Sequence, residues 1–155
     1  MTFALRAMTS DEVTSWMPKV MEDYVLERVR AGEDLEGARK TAHEQSAEFA
    51  PGGIATPGHR FFWQVDGDQV VGALWLGAPT SRARSTWHVY FVVVDENCRG
   101  RGYGRAAMQA AEAFVQEKGG DYLGLNVFGH NSVARALYDS LGYQAMATTM
   151  RKTLA

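Results

Sequence analysis

The stretch from Val89 to Phe114 constrains this chain more than any other. An apolar run, VYFVVV, gives way to DENCRGRGYG, and a helical pattern, RAAMQAAEAF, follows at once. A strand, a glycine loop and a helix in that order leave backbone N–H groups at the helix start without intrahelical partners. The helix dipole favours negative charge at the same place. Glycine at Gly100, Gly102 and Gly104 lets a ligand approach the backbone without meeting a Cβ atom. Arg99, Arg101 and Arg105 concentrate positive charge here, in a chain whose formal charge is −2. The loop reads as a local site for phosphate oxygens; the bland alternative is a glycine-rich turn with solvated arginines.

Two phosphate motifs compete for this loop. Walker A ends in Gly-Lys-Ser/Thr, a tripeptide that the sequence lacks. Gly102 to Ala107 fits the dinucleotide pattern G-x-G-x-x-A, but that pattern belongs after the first strand of a βαβ unit, with an acidic residue ending the next strand. Here the next strand ends Val127-Phe128-Gly129, and about fifty residues remain after the loop, too few for a doubly wound half. The dinucleotide reading fails on context.

At 155 residues the chain is expected to form one domain, residues 1–155, with a single core, and 46% hydrophobic residues argue against disorder. The near-neutral balance argues against a nucleic-acid binder that works through bulk charge. The apolar run Val89–Val94 falls far short of the ~20 residues that cross a bilayer. MTFALRAMTS has no signal-peptide core, so no membrane partner and a cytoplasmic location are expected. A single cysteine, Cys98, allows neither an internal disulfide nor a Cys-based zinc site. His43, His59 and His130 show no metal-ligand spacing and read as surface or loop residues, so no metal is expected.

Along the chain, Phe3–Met8 alternates as a first strand, and Thr9 with Glu12 offers a capping box. Val13, Trp16, Met17, Val20, Met21, Tyr24 and Val25 then recur at helical spacing, with Pro18 predicting a kink or two successive helices. Leu35, Ala38, Ala42 and Phe49 give a second helical stripe ended by Pro51-Gly52-Gly53. Phe61, Trp63 and Val65 alternate, Asp66-Gly67-Asp68 turns, and VVGALWLG returns as a strand. A polar loop with Arg82 and Arg84 leads into STWHVYFVVVD. After the glycine loop, Tyr103, Ala107, Ala110 and Phe114 form the apolar stripe of a helix ended by Gly119-Gly120. YLGLNVF is a strand, Asn131 N-caps the helix SVARALYDSL, and YQAMATTMRKTL closes the chain as a strand. The expected fold class is a mixed α/β (α+β) sheet.

With these residues in place, the chain resembles the GNAT superfamily of acyl-CoA-dependent N-acyltransferases. Arg99-Gly100-Arg101-Gly102-Tyr103-Gly104 matches the family's Gln/Arg-x-x-Gly-x-Gly/Ala signature after the fourth strand. LNVFGHNSVARALYDSLGYQ matches the family's second pattern, with an Asn opening the helix, Leu-Tyr within it and Gly-aromatic after it. The resemblance implies a mostly antiparallel sheet with strands four and five parallel but splayed, and acetyl-CoA as cosubstrate in the cleft between them. Backbone groups around Val92, Val93 and Val94 and around Leu125–Val127 would hold the pantetheine arm. The pyrophosphate would sit on the amides from Arg99 to Gly104, with Arg105 alongside. Asn131 matches the family's CoA-contacting asparagine and is equally a plain N-cap. Tyr138 matches the tyrosine that protonates the departing thiolate; the competing reading is a core tyrosine in the stripe Ala134, Leu137, Tyr138, Leu141, and the family position favours catalysis.

The base is left open. His88 falls where the family often has a strand-four glutamate, and a histidine acts as a base near neutral pH without any shift. It also reads as a half-buried structural histidine. Glu22, Asp23 and Glu27 are further candidates, or else the solvated face of their helix. Asn126 alternates away from Leu125 and Val127 and would face the cleft. Cys98, beside Arg99 and near a helix start, makes an acyl-cysteine conceivable. The family's last hairpin is missing: YQAMATTMRKTLA has no Gly, Pro or Asn to turn on, so it is one strand or a tight turn near Ala147–Thr149. The acceptor pocket is then open, or completed by a second chain as a homodimer. Expected partners are a small-molecule or peptide amine; the competing readings are a silent CoA-binding sensor and transfer of another acyl group.

Overall fold

Thr9 opens the first helix through the expected reciprocal contact. Its hydroxyl accepts from the Glu12 amide at 3.2 Å, and Glu12 Oε1 accepts from the Thr9 amide at 3.0 Å. The computed structural model describes residues 1–49, 56–78 and 86–155. The elements are β1 (Phe3–Ala7), α1 (Ser10–Arg30), α2 (Leu35–Phe49), β2 (His59–Asp66), β3 (Gln69–Gly77), β4 (Thr86–Val94), α3 (Tyr103–Glu117), β5 (Tyr122–Leu125) and α4 (Ser132–Ser140). Pro51-Gly52-Gly53, Arg82, Arg84 and Ser85 lie outside the described residues.

The strands form one sheet in the order β1-β2-β3-β4-β5, antiparallel up to β4 and parallel between β4 and β5. This is the mixed sheet expected, with α3 as the crossover between the two parallel strands. Alternation along the strands sends side chains to two cores. On one face Phe61, Ala73 and Trp75 pack under Val13, Trp16 and Val20 of α1. On the other, Phe62, Leu74, Leu76 and Val89 pack under Met108 and Val115 of α3. Arg39 and Glu22, 2.9 Å apart, tie α2 to α1, and Ala38 and Ala42 pack on Val25.

The structure corrects several local expectations. Pro18 does not split the first helix, which runs unbroken from Ser10 to Arg30. Packing of Val13, Trp16, Val20 and Val25 on either side of Pro18 outweighs the one backbone bond lost there. On α3 the buried stripe is Tyr103, Ala107, Met108, Ala111 and Val115; Ala110 and Phe114 flank it half-buried. His59 is not a surface residue: on β2 it is 5% exposed, and its Nδ1 accepts from Trp75 Nε1 at 2.9 Å. Burial lowers its pKa and keeps the ring neutral. Strand β5 ends at Leu125 rather than Phe128, and residues 143–155 form neither a strand nor a hairpin. A strand needs a ladder partner, and among the described residues none pairs with this segment.

Glu12 also accepts from Trp63 Nε1 at 2.6 Å and faces Arg6. The Thr9 amide first, then Arg6 and Trp63, lower its pKa from 4.5 to about 2. A carboxylate whose folded pKa lies below its unfolded value stabilises the fold above the unfolded value and loses that contribution as pH falls through the folded one. Glu12→Gln is therefore expected to lower the melting temperature at pH 7, with the gap to the wild type narrowing from about pH 4.5 to pH 2. Thermal melts across that range check it.

Candidate active site

The loop between β4 and α3 is built by two backbone positions that favour glycine. Gly100 has φ 76° and Gly102, the N-cap of α3, has φ 88°. The first bond from the helix back to the cap is Ala106 N–H to the Gly102 carbonyl at 3.1 Å. Among the described residues, the amides from Gly100 to Arg105 make no hydrogen bond. A Cβ added at Gly100 would meet nothing within 4 Å, and one at Gly102 only the tip of Met1 at 3.7 Å. The free donors therefore line an open concavity, with exposed Arg99, Arg101 and Arg105 around it.

Gly104 has a different task. A Cβ there would stand 3.2 Å from Leu137 Cδ2, so this glycine sets how closely α3 approaches α4. Arg105 reinforces the contact by donating to Ser140 Oγ at 2.7 Å, and Arg99 Nε donates to the Val94 carbonyl at 3.0 Å. The Tyr103 ring turns inward beside Val71 and Cys98, and its hydroxyl donates to Asp66, which raises its pKa. Only the amide of Tyr103 serves the concavity. Cys98 is 2% exposed in the same cluster, with Asn97 and Gln69 on its sulfur, so an acyl-cysteine has no accessible nucleophile.

Upstream of the loop the sheet forks. The parallel ladder runs from Thr86↔Tyr122 to Val89↔Leu125 and stops, while β4 continues to Val94, paired among the described residues with β3 alone. The β3–β4 register shifts where the two strands part: Trp75 faces Phe91 and Leu76 faces Val89, leaving Tyr90 as an extra residue. Such a bulge bends its strand and strengthens the local twist. The cleft thus has Tyr90–Val94 as one wall and leads from the fork toward the glycine loop. Val92 turns to the α3 face and Val93 to the α1 face. The Val93 carbonyl accepts from Gln64 Nε2 at 3.1 Å. Asn126 is exposed immediately after the last paired residue of β5.

The two candidate catalytic side chains flank this fork from opposite faces. Tyr138, on α4, is half-buried against the α3-face core, with its ring 5.8 Å from that of Tyr143. Its hydroxyl makes no hydrogen bond among the described residues, and burial pushes its pKa above the usual value. His88 alternates with Trp87 and Val89 and so faces the α1 side. Its ring meets Tyr90 edge-on at 4.8 Å, and burial lowers its pKa. Asn131 caps α4 through Oδ1, which accepts from the Ala134 amide at 3.1 Å.

On the α1 side, an open groove of about 470 Å³ is lined by Asp11, Ser15, Trp16, Lys19, Asp23 and Phe91, among others. Of the helix carboxylates, Glu22 is engaged by Arg39, whereas Glu27 meets both Arg30 and His130, the latter at 2.6 Å. Phe128 stacks on His130 and tilts against Tyr24, so the segment after β5 is held to α1. Sequence spacing gave no sign of this contact, which joins residues 103 positions apart. Among the described residues, no group of three or more His, Cys, Asp or Glu could hold a metal ion, and no helix is long and apolar enough to cross a membrane.

A family model described as the acetyltransferase (GNAT) family matches residues 18–143. The chain is 31% identical over 157 aligned positions to YycN of Bacillus subtilis (strain 168), described as an uncharacterized N-acetyltransferase, covering 99% of this chain and 100% of YycN. The crystal structure of YycN superposes with a TM-score of 0.91 over 99% of each chain. YdgE of the same organism, described in the same words, is 30% identical over 157 positions and 99% of each chain. AAC(6')-Iy, solved with the bisubstrate analogue CoA-S-monomethyl-acetylneamine, shares the fold at a TM-score of 0.62 and 11% identity, covering 100% of this chain and 99% of that one. The chain belongs to the GNAT family of acetyltransferases and is an acyltransferase.

Proposed function

We propose that residues 1–155 act as one N-acetyltransferase domain in the cytoplasm, moving an acetyl group from acetyl-CoA to a primary amine of a small molecule or peptide. The observation that carries this reading is the fork between β4 and β5 leading to six adjacent free amides at a helix start. The amides of Gly100 to Arg105 would take the pyrophosphate, with Arg99, Arg101 and Arg105 supplying charge. Backbone groups of Val92, Val93 and Val94 would hold the pantetheine arm, with Asn126 and Asn131 bordering it from the β5 side. That AAC(6')-Iy holds a CoA-based bisubstrate analogue on the same fold supports CoA as the donor.

His88 would take a proton from the amine on the α1 side, where the groove of Trp16, Asp23 and Phe91 opens. The amine nitrogen bonds to the thioester carbon, the tetrahedral species collapses, and the carbon–sulfur bond breaks. Tyr138, on the opposite face, would give its proton to the departing thiolate. Both shifts suit these roles: burial keeps His88 neutral and able to accept, and keeps Tyr138 protonated and able to donate.

Calorimetry with acetyl-CoA and free CoA is expected to give micromolar binding, and a panel of amines to release free thiol. No binding overturns the reading. Binding without turnover on any amine replaces it with a CoA-sensing module. Because the His88 pKa is lowered, activity is expected to hold as pH falls through the ordinary histidine value of 6.5 and to decline only below it. His88→Gln is expected to remove that acid limb and to lower kcat by about 10²-fold. A pH profile unchanged by the substitution assigns the histidine to structure alone.

A further inference from the structure

Gln64 is a polar side chain with no exposed surface, 0% by area, on a strand that makes no direct contact with either candidate catalytic residue. Like Phe62 it turns to the α3 face, since it alternates with Trp63 on the α1 face. Its Nε2 donates to the Ala73 carbonyl at 2.8 Å and to the Val93 carbonyl at 3.1 Å. Two carbonyl partners settle which end of the amide carries the nitrogen. Its Oε1 is buried without a partner among the described residues. An apolar side chain of the same size would fill this space with no oxygen to desolvate. What the amide adds is its pair of N–H bonds, which reach across β3 and β4.

The backbone makes room for that reach. Gln64 stands opposite Gly72 and Val65 opposite Val70, so Val71 is an extra residue on β3. A Cβ on Gly72 would lie 2.1 Å from the Val93 carbonyl oxygen and 3.0 Å from Gln64 Oε1. Glycine at this position therefore lets the Val93 carbonyl and the Gln64 amide come together. That carbonyl shares a planar trans peptide unit with the Val94 amide, and the two point in opposite directions. With the oxygen held on the β3 side, the Val94 N–H turns to the other side of β4, where β5 has already left. The next peptide unit is engaged at both ends. The Asp95 amide donates to the Val71 carbonyl at 2.8 Å, and the Val94 carbonyl accepts from Arg99 Nε at 3.0 Å. The Val94 N–H is thus the donor presented at the far end of the cleft, and Gln64 sets its direction.

We propose that Gln64 is a positioning residue for the acyl donor: it holds the Val93–Val94 peptide unit so that the Val94 amide meets a carbonyl of the donor's extended linker. A linker that carries amide groups adds to β4 as a strand would, and its main-chain bonds depend on how each peptide unit is aimed. The inference rests on the acyl-CoA reading and adds to it a residue that touches neither the donor nor the acceptor.

Two ligands separate this role from packing: acetyl-CoA, and phosphoadenosine diphosphate, the fragment of CoA that ends at its pyrophosphate and has no linker. By calorimetry, Gln64→Met is expected to weaken acetyl-CoA binding by about three- to tenfold, the worth of one hydrogen bond, and to leave the fragment's affinity unchanged. Gln64→Glu serves where Gln64→Met does not fold. A buried neutral carboxyl has one proton for two carbonyls, so a loss confined to acetyl-CoA is again expected. In the wild type, hydrogen exchange is expected to show the Val94 amide protected by acetyl-CoA and not by the fragment. Equal weakening of both ligands, or of neither, overturns the proposal, as does a Val94 amide that acetyl-CoA leaves unprotected. These outcomes leave the acyl-CoA reading standing, whereas a wild type that binds neither ligand overturns that reading and the proposal with it.

Discussion

Replacing Gly102 with Trp is expected to weaken acetyl-CoA binding by about 10²-fold or more. Two effects combine. Gly102 sits at φ 88°, a left-handed conformation that costs an L-residue roughly 1–2 kcal/mol, so the cap is strained. The indole would also project into the concavity, where a Cβ meets nothing nearer than Met1 at 3.7 Å, and so would occupy the space meant for the ligand. Hydrogen bonds to a charged group are each worth about 1.5–3 kcal/mol, and every 1.4 kcal/mol is a factor of ten. Losing two such bonds therefore accounts for about 10²–10⁴ in affinity. Calorimetry at two salt concentrations, paired with a thermal melt, separates blockage from unfolding. A well-folded variant that keeps wild-type affinity would show that the ligand does not use this loop.

Tyr138→Phe is expected to reduce kcat by about 10²–10⁴-fold, the usual range for general-acid help, while leaving KM for acetyl-CoA nearly unchanged. The structure makes this substitution unusually informative. The Tyr138 hydroxyl has no hydrogen-bond partner among the described residues, so removing it strands no buried group, and the ring keeps its packing on the core. Melting temperature should therefore stay close to the wild type even as turnover collapses. A tyrosine present only for packing gives the reverse: little change in either. The pH profile adds a second readout. Burial raises this phenol's pKa above 10, so the wild type should keep its acid until strongly alkaline pH, and the variant should lack that limb.

Much of this architecture could be read from local chemistry. The capping box of Thr9 and Glu12, the Asp66-Gly67-Asp68 turn and the glycine loop each rest on contacts within a few residues, and each forms as those residues require. The fork was legible only through family resemblance. Its position depends on where β4 acquires an extra residue at Tyr90, and VYFVVV carries no glycine to mark a bulge. His59 shows the limit on burial: a polar residue beside Gly58 reads as loop, and only the Trp75 indole across the sheet makes its burial tolerable. The stripe on α3 is hard to read for a related reason. Alanines cluster on every side of that helix, so periodicity alone does not say which of them faces Leu74 and Leu76. The Glu27–His130 contact is set by long-range placement, for which a single sequence has no signal.

The fork and the loop also act together as a ruler. Between the last β4–β5 pair and the end of β4 lie five residues, Tyr90 to Val94, which at 3.3 Å per residue span roughly 16 Å. The departure of β5 at Leu125 sets the near end of that interval, and the loop that carries the free amides from Gly100 onward follows its far end. In the proposed reaction a donor would be selected by length as well as by chemistry: its linker would cross the cleft extended, with its anion on the amides when its reacting carbon reaches the fork. A shorter carrier bearing the same acyl group would stop inside the cleft, out of reach of the groups on either face.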